Sequence, residues 1–117
     1  MDDSPPVLDQ AQLDELRDDL GSAFGGSVSA FLGSMHTGID EMHGGLAAGD
    51  LAAVAQMAHR LKGSAGYLGT VAVSQHLSVL ERLAKAGEAA RVASQLDALA
   101  TAFAAVEPHL RALVDES

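Results

Sequence analysis

The chain has 117 residues, of which 48% are apolar, with three Phe, one Tyr and no cysteine. This composition predicts one domain with an aliphatic core, and it excludes disulfides and thiolate metal sites. The net charge of −9 argues against nucleic acid and anionic membranes as partners, because both select for basic surfaces.

The first eight residues, MDDSPPVL, are predicted to be a flexible leader, and the domain is predicted to span residues 9–117. Two prolines and several polar side chains give the leader little to bury. The start of the chain lacks the basic residues and the apolar run of a signal peptide, and no segment is apolar over a membrane-spanning length. A cytoplasmic protein is therefore expected.

Two helical segments are predicted in the first half of the domain. Asp9 is a suitable N-cap for a short helix that ends near Leu20, before Gly21. This helix is rich in acids and has few residues for packing, so we expect it to lie across a larger bundle. The second segment runs from Phe24 to Leu46 with apolar residues at the three-and-four spacing of an amphipathic helix.

Three further amphipathic helices are predicted in the second half. Gly49 and Asp50 combine a helix stop with an N-cap, so a third helix begins there and ends near Gly69. A fourth ends at Gly87, and a fifth begins at about Glu88. The chain is therefore predicted to be all-α, an antiparallel up-down four-helix bundle with a short additional N-terminal helix. A monomer is expected, because four amphipathic helices can bury their apolar faces against one another.

The third helix contains an unusual stretch, AHRLKGSAGYLG, at residues 58–69. Glycine in a helix interior costs roughly 1 kcal/mol relative to alanine, yet two glycines follow His59 within two turns. On a helical wheel, His59, Gly63 and Gly66 lie on the outer face, and Lys62 lies beside them. We infer that the glycines leave the imidazole unshielded, so that the surface of another protein can contact it.

An exposed imidazole with a lysine beside it suits phosphoryl chemistry. A neutral imidazole nitrogen is nucleophilic near neutral pH. Lys62, three residues after His59, can place an ammonium beside an anion that the ring carries. The stretch from Arg60 to Arg91 is locally basic, with five bases against two acids in an acidic chain, which suits an acidic partner.

The motif HRLKGSAGYLG resembles the histidine-containing phosphotransfer (HPt) domains of multistep two-component signalling. The signature of that family is His-x-x-Lys-Gly on a helix, followed by a glycine near the helix end. The similarity in pattern extends from Val7 to Val114. It implies a phosphocarrier in which His59 accepts a phosphoryl group from a receiver-domain aspartyl phosphate and passes it to the aspartate of another receiver.

The resemblance also implies roles for individual residues. Lys62 is expected to stabilise the charge of the phosphoryl group, Gly63 to permit close approach, and Glu81 to orient the imidazole. Residues expected to contact the partner are Arg60, Gly66, Gly69, Arg82 and Lys85. Tyr67 stands where the family varies, and it is expected to fill the core.

The partners that the resemblance implies are response-regulator receiver domains, with a hybrid histidine kinase as a further candidate. The receiver would bring its own Mg²⁺ and acidic pocket, so no intrinsic cofactor is expected. Nothing in the chain resembles an ATP-binding module. A phosphocarrier is therefore expected rather than a kinase.

Two alternative functions remain open at this point. His36, Asp40 and His43 lie at i, i+4 and i+7 on one face of the second helix and could ligate a metal ion. Solvated His and Asp side chains are common, however, and no fourth ligand accompanies them, so no metal site is favoured. The other alternative is a helical docking module without phosphotransfer, and the presence of both His59 and Lys62 weighs against it.

Overall fold

A computed structural model describes residues 8–115 as five α-helices and one short 3₁₀ turn. The helices are α1 (Gln10–Leu20), α2 (Phe24–Ala47), α3 (Leu51–Tyr67), α4 (Val71–Lys85) and α5 (Ala89–Asp115), with the 3₁₀ turn at Gly21–Ala23. No strand occurs in this part of the chain. Helices α2 and α4 each pack against both α3 and α5, so the four long helices close into a bundle. The predicted fold class is confirmed.

The helices begin and end at local signals in the sequence. Asp9 Oδ1 accepts a hydrogen bond from the backbone N–H of Gln12, and Asp50 Oδ1 accepts one from the N–H of Ala53, each at 3.1 Å. These carboxylates satisfy backbone donors that have no partner inside the first turn. Glycines with positive φ follow α2, α3 and α4, at Gly49, Gly69 and Gly87.

The core is built from aliphatic side chains together with the three phenylalanines. Phe31 and Phe103 meet edge to face with their ring centroids 6.4 Å apart, and join α2 to α5. Gly38 lets α2 approach α3 closely, because a Cβ at this position would lie 2.6 Å from Cδ1 of Leu61. The helix that carries His59 is therefore held against a packed neighbour.

Helix α1 closes the end of the bundle at which α3 turns into α4. Its buried residues are Leu13 and Leu16. The side chain of Gln12 donates hydrogen bonds to the carbonyls of Gly66 and Tyr67, at 2.7 and 2.9 Å. The N–H of Asp9 donates to the carbonyl of Gly69 at 2.8 Å. The start of α1 is thus joined by hydrogen bonds to the turn between α3 and α4.

The structure describes only the last residue of the predicted leader. Residues 1–7 of the predicted leader lie outside the described residues. Leu8, its last residue, is half-buried and packs against the core, because an apolar side chain gains from burial there. Among residues 8–115, no helix is both long enough and apolar enough to span a membrane.

Substitution of Gly69 by alanine is expected to lower the free energy of unfolding by about 2 kcal/mol. The backbone φ is 71°, which disfavours any side chain, and an added Cβ would lie 3.1 Å from the carbonyl oxygen of Asp9. The matched control is Gly87→Ala, with φ of 74° and nothing within 4 Å of an added Cβ. Urea unfolding measures both variants. Equal losses would show that the contact with Asp9 contributes nothing.

Candidate functional site

His59 projects from the outer face of α3, where the helical wheel predicts it. Its side chain is 69% exposed. Gly63 and Gly66 are also exposed, and a Cβ at Gly63 would meet nothing within 4 Å. The two positions that follow the imidazole on the same side of α3 therefore carry no side chain.

The carboxylate of Glu81, on α4, joins the imidazole to two lysines. Its Oε2 atom lies 3.0 Å from Nδ1 of His59 and 2.9 Å from Nζ of Lys85. Its Oε1 atom lies 2.9 Å from Nζ of Lys62. The Glu81 side chain is 10% exposed, so this acceptor is held largely out of water between α3 and α4.

The contact with Glu81 determines which nitrogen of His59 is reactive. A carboxylate only accepts hydrogen bonds, so Nδ1 carries the ring proton and the lone pair lies on Nε2. Nε2 has no hydrogen-bond partner within the described part of the chain. The exposed ring therefore presents a nucleophilic nitrogen to whatever approaches α3.

The pKa of Glu81 is lowered from 4.5 to about 2. The hydrogen bond from Lys85 lowers it most, followed by that from Lys62, and His59 lowers it further, while burial acts in the opposite direction. The carboxylate is therefore ionised at neutral pH. It stays an acceptor for the Nδ1 hydrogen throughout the physiological range.

Two concave surfaces lie on either side of His59 along α3. Between α3 and α4 is a cavity of about 310 Å³ that is lined by Ala55, Gln56, His59, Glu81 and Lys85. Between α2 and α3 is a wider groove of about 570 Å³, whose lining includes Arg60, Ser64 and several small residues of α2. His59 lines the first of these surfaces, and its neighbour Arg60 lines the second.

The remaining residues that the sequence places at the site do not all reach its surface. Exposed side chains or backbone are found at Arg60, Gly66, Arg82 and Lys85. Gly69 is buried beneath Asp9 and is not part of this surface.

The expectation that Tyr67 fills the core is wrong. Tyr67 is 55% exposed, because it lies on the outer half of the last turn, where Leu68 takes the core position.

Sequence reasoning missed how the two lysines converge. Lys85 follows Glu81 by four residues, a spacing at which oppositely charged side chains meet on one helix face, so a local signal existed. Lys62 lies 19 residues before Glu81 on a different helix. No local pattern could have joined Lys62 to Glu81, because their contact depends on how α3 packs against α4.

The metal-site alternative does not match the arrangement of the side chains. Among residues 8–115, no group of three His, Asp or Glu side chains is arranged to hold a metal ion. His36 instead lies with Nε2 at 2.6 Å from Oε2 of Glu107, and Arg111 donates to the same oxygen. His36 and Arg111 lower the pKa of Glu107, so this cluster is a hydrogen-bonded contact between α2 and α5 that includes the Arg111–Glu107 ion pair within α5.

Comparison with known proteins indicates a histidine phosphotransfer domain. The helical bundle and the exposed histidine that contacts a carboxylate indicate the same class of protein. The sequence matches the family model of the Hpt domain over residues 27–115. One similar solved structure is the crystal structure of histidine-containing phosphotransfer protein B (HptB) from Pseudomonas aeruginosa PAO1. The TM-score is 0.93 at 24% sequence identity, and the match covers 97% of this chain and 99% of that chain. No curated protein matches the chain.

The chain is a helical phosphotransfer domain. It belongs to the Hpt domain family, because the family model covers most of its length. Hpt domains are phosphocarrier modules without kinase activity, and they interact with receiver domains and kinases in phosphorelays. The family thus gives this chain a role in histidine phosphotransfer.

Glu81→Gln is expected to reduce stability at neutral pH, and the deficit should shrink as the pH falls. The folded-state pKa of about 2 lies below the ordinary value of 4.5. The ionised carboxylate therefore stabilises the fold above pH 4.5, and this contribution is lost as the pH falls through 2. Urea unfolding at several pH values measures the difference between the two proteins.

The matched control for that experiment is Glu88→Gln. Glu88 pairs with Arg91 at 3.4 Å, and the two side chains are 41% and 74% exposed, so the loss at neutral pH should be smaller. A deficit in Glu81→Gln that is the same at pH 7 and pH 2 would contradict the role of the ionised carboxylate.

Proposed function

We propose that this chain is a phosphorelay intermediate that accepts a phosphoryl group on Nε2 of His59. The donor is the aspartyl phosphate of one receiver domain, and the acceptor is the aspartate of another. The observation that carries the proposal is the exposed ring whose Nδ1 is hydrogen-bonded to Glu81, which leaves the lone pair on Nε2.

The transfer needs no proton movement within this chain. The lone pair of Nε2 forms the nitrogen–phosphorus bond, the phosphorus–oxygen bond to the receiver's aspartate breaks, and the electron pair leaves with the carboxylate. The proton on Nδ1 remains there and faces Glu81 throughout. In the second transfer an aspartate oxygen attacks phosphorus, and the electron pair of the nitrogen–phosphorus bond returns to Nε2.

Phosphoryl transfer depends on in-line positioning and on neutralising charge at the phosphoryl oxygens. Glu81 orients the ring from α4. Lys62 and Lys85 place two positive charges within reach of the site. The receiver would supply Mg²⁺ and the acidic pocket, so this chain needs no cofactor of its own. We propose that it is a phosphocarrier and not a kinase that takes its phosphoryl group from a nucleotide.

The exposed surface around His59 suits docking of a receiver domain. Gly63 and Gly66 let another backbone come close to the ring. The exposed cations Arg60, Arg82 and Lys85 complement an acidic receiver face and would accelerate encounter. We propose that the chain acts as a monomer in the cytoplasm, with a hybrid histidine kinase as a further candidate partner.

Incubation with a phosphorylated receiver and Mg²⁺ tests the proposal. The protein should acquire label that is labile in acid and stable in base, as phosphohistidine is, and His59→Gln should acquire none. The control is His43→Gln, an exposed histidine of α2, which should be labelled like the unaltered protein. Label that survives in His59→Gln would contradict the assignment of the phosphoacceptor.

Gly63→Leu tests the close approach of the receiver. Leucine favours the helix more than glycine by roughly 1 kcal/mol, so the variant should fold at least as well. Its side chain would cover the surface beside His59, so transfer should slow on the order of 10- to 100-fold. Stopped-flow or quench measurements of transfer give the rate.

Gly44→Leu is the matched control for Gly63→Leu. Gly44 is also an exposed helical glycine with open space around it, but it lies on α2. Its substitution should leave the transfer rate unchanged. Equal rates for Gly63→Leu and the unaltered protein would contradict the docking argument.

A further inference from the structure

The two lysines that bind Glu81 are not equivalent, because they contact different oxygens. Oε2 accepts from both Nδ1 of His59 and Nζ of Lys85. Oε1 accepts only from Nζ of Lys62 within residues 8–115. If Lys62 left, Oε1 of a side chain that is 10% exposed would lose its partner, which is costly. If Lys85 left, Oε2 would keep its hydrogen bond from His59.

The surroundings of the two lysines also differ. The side chain of Lys85 is 67% exposed, whereas that of Lys62 is 34% exposed. Lys85 lines the 310 Å³ cavity between α3 and α4 together with His59 and Glu81, and Lys62 is not part of its lining. Lys85 therefore has open space beside the ring into which its ammonium can turn.

The position of the Lys85 ammonium brings it close to the ring before any phosphoryl group arrives. Its Nζ atom and Nδ1 of His59 contact the same oxygen, at 2.9 and 3.0 Å. The side chain of Lys85 is a flexible four-carbon chain and is largely exposed, so its ammonium is free to turn from Oε2 towards a group on Nε2. The ammonium carries three donors, which suit the oxygens of a phosphoryl group.

We propose that Lys85 is the residue that binds the phosphoryl group on His59, while Lys62 remains on Glu81 as a positioning residue. This inference rests on the proposed function, because it requires phosphorylation at Nε2. It gives the phosphoryl contact to a different lysine from the one that the sequence motif implies. Lys62 then acts through Glu81, which it holds in place and which in turn holds the ring.

The charges at the site favour these separate roles for Lys85 and Lys62. A phosphoryl group adds nearly two negative charges beside the carboxylate of Glu81. Lys85 can turn from Oε2 to a phosphoryl oxygen while the Nδ1 hydrogen of His59 keeps Oε2 satisfied. Lys62 neutralises the carboxylate at Oε1 in both states. When the phosphoryl group departs to the next receiver, Lys85 returns to Glu81, and its movement makes and breaks only non-covalent contacts.

The test uses the full chain phosphorylated chemically with phosphoramidate, so that no receiver is needed. The ³¹P NMR shift of the phosphoryl group on His59 is followed with pH to obtain the pKa of its second ionisation. A bound cation lowers that pKa, so Lys85→Gln should raise it by about 1. Lys85→Arg, which keeps the charge, should restore the value of the unaltered protein.

Two further variants complete the test. Lys62→Gln should leave the phosphoryl pKa close to that of the unaltered protein but slow transfer to a receiver, because the ring is no longer held. Arg82→Gln is the matched control, since Arg82 is an exposed cation on α4 that makes no ion pair with Glu81. It should leave the phosphoryl pKa unchanged. Circular dichroism confirms that each variant keeps its helices.

The proposal is overturned if Lys62→Gln raises the phosphoryl pKa as much as Lys85→Gln, or more. It is also overturned if Lys85→Gln leaves that pKa unchanged. Failure of the unaltered protein to exchange phosphoryl groups with receivers is a separate result. It would contradict the proposed function and would leave the measurement on the chemically phosphorylated protein standing.

Discussion

The site depends on one acceptor that is nearly withdrawn from water. The carboxylate of Glu81 takes hydrogen bonds from His59, Lys62 and Lys85, and so ties α3 to α4 through a single side chain. Removal of one member of such a cluster leaves the others without compensation, and the best attested value of these ion pairs is in specifying one arrangement. Here the arrangement comprises the tautomer of the ring, the nitrogen that faces outward and the placement of two positive charges.

The glycines of this chain serve opposite purposes in different places. Gly38 and Gly69 are buried. Gly38 leaves room for the side chain of Leu61, and Gly69 leaves room for the backbone of Asp9. Gly63 and Gly66 lie on the surface, where a larger residue would stabilise the helix. The packing of this chain does not require glycine at either position. Under the proposed function, the close approach of a receiver domain explains why the more stable residues are not used there.

The similarity to the solved Hpt-type structure shows how few positions the fold needs to keep. A TM-score of 0.93 accompanies 24% identity. Apolar spacing, helix caps and turn glycines can be met by many sequences, because cores tolerate substitution as long as volume and pattern are preserved. The chemistry of the site is less tolerant, since each of its contacts needs a particular charge or donor.

The sequence by itself determined the helix limits, the bundle and the outward direction of His59. These follow from apolar spacing, from caps such as Asp9 and Asp50, and from the 100° turn between helical residues. Tertiary structure alone decided that Lys62 meets Glu81 and that His36 pairs with Glu107 across 71 residues. A helical wheel gives the direction of a side chain but not the neighbour that packing brings to it, and the site is made of such neighbours.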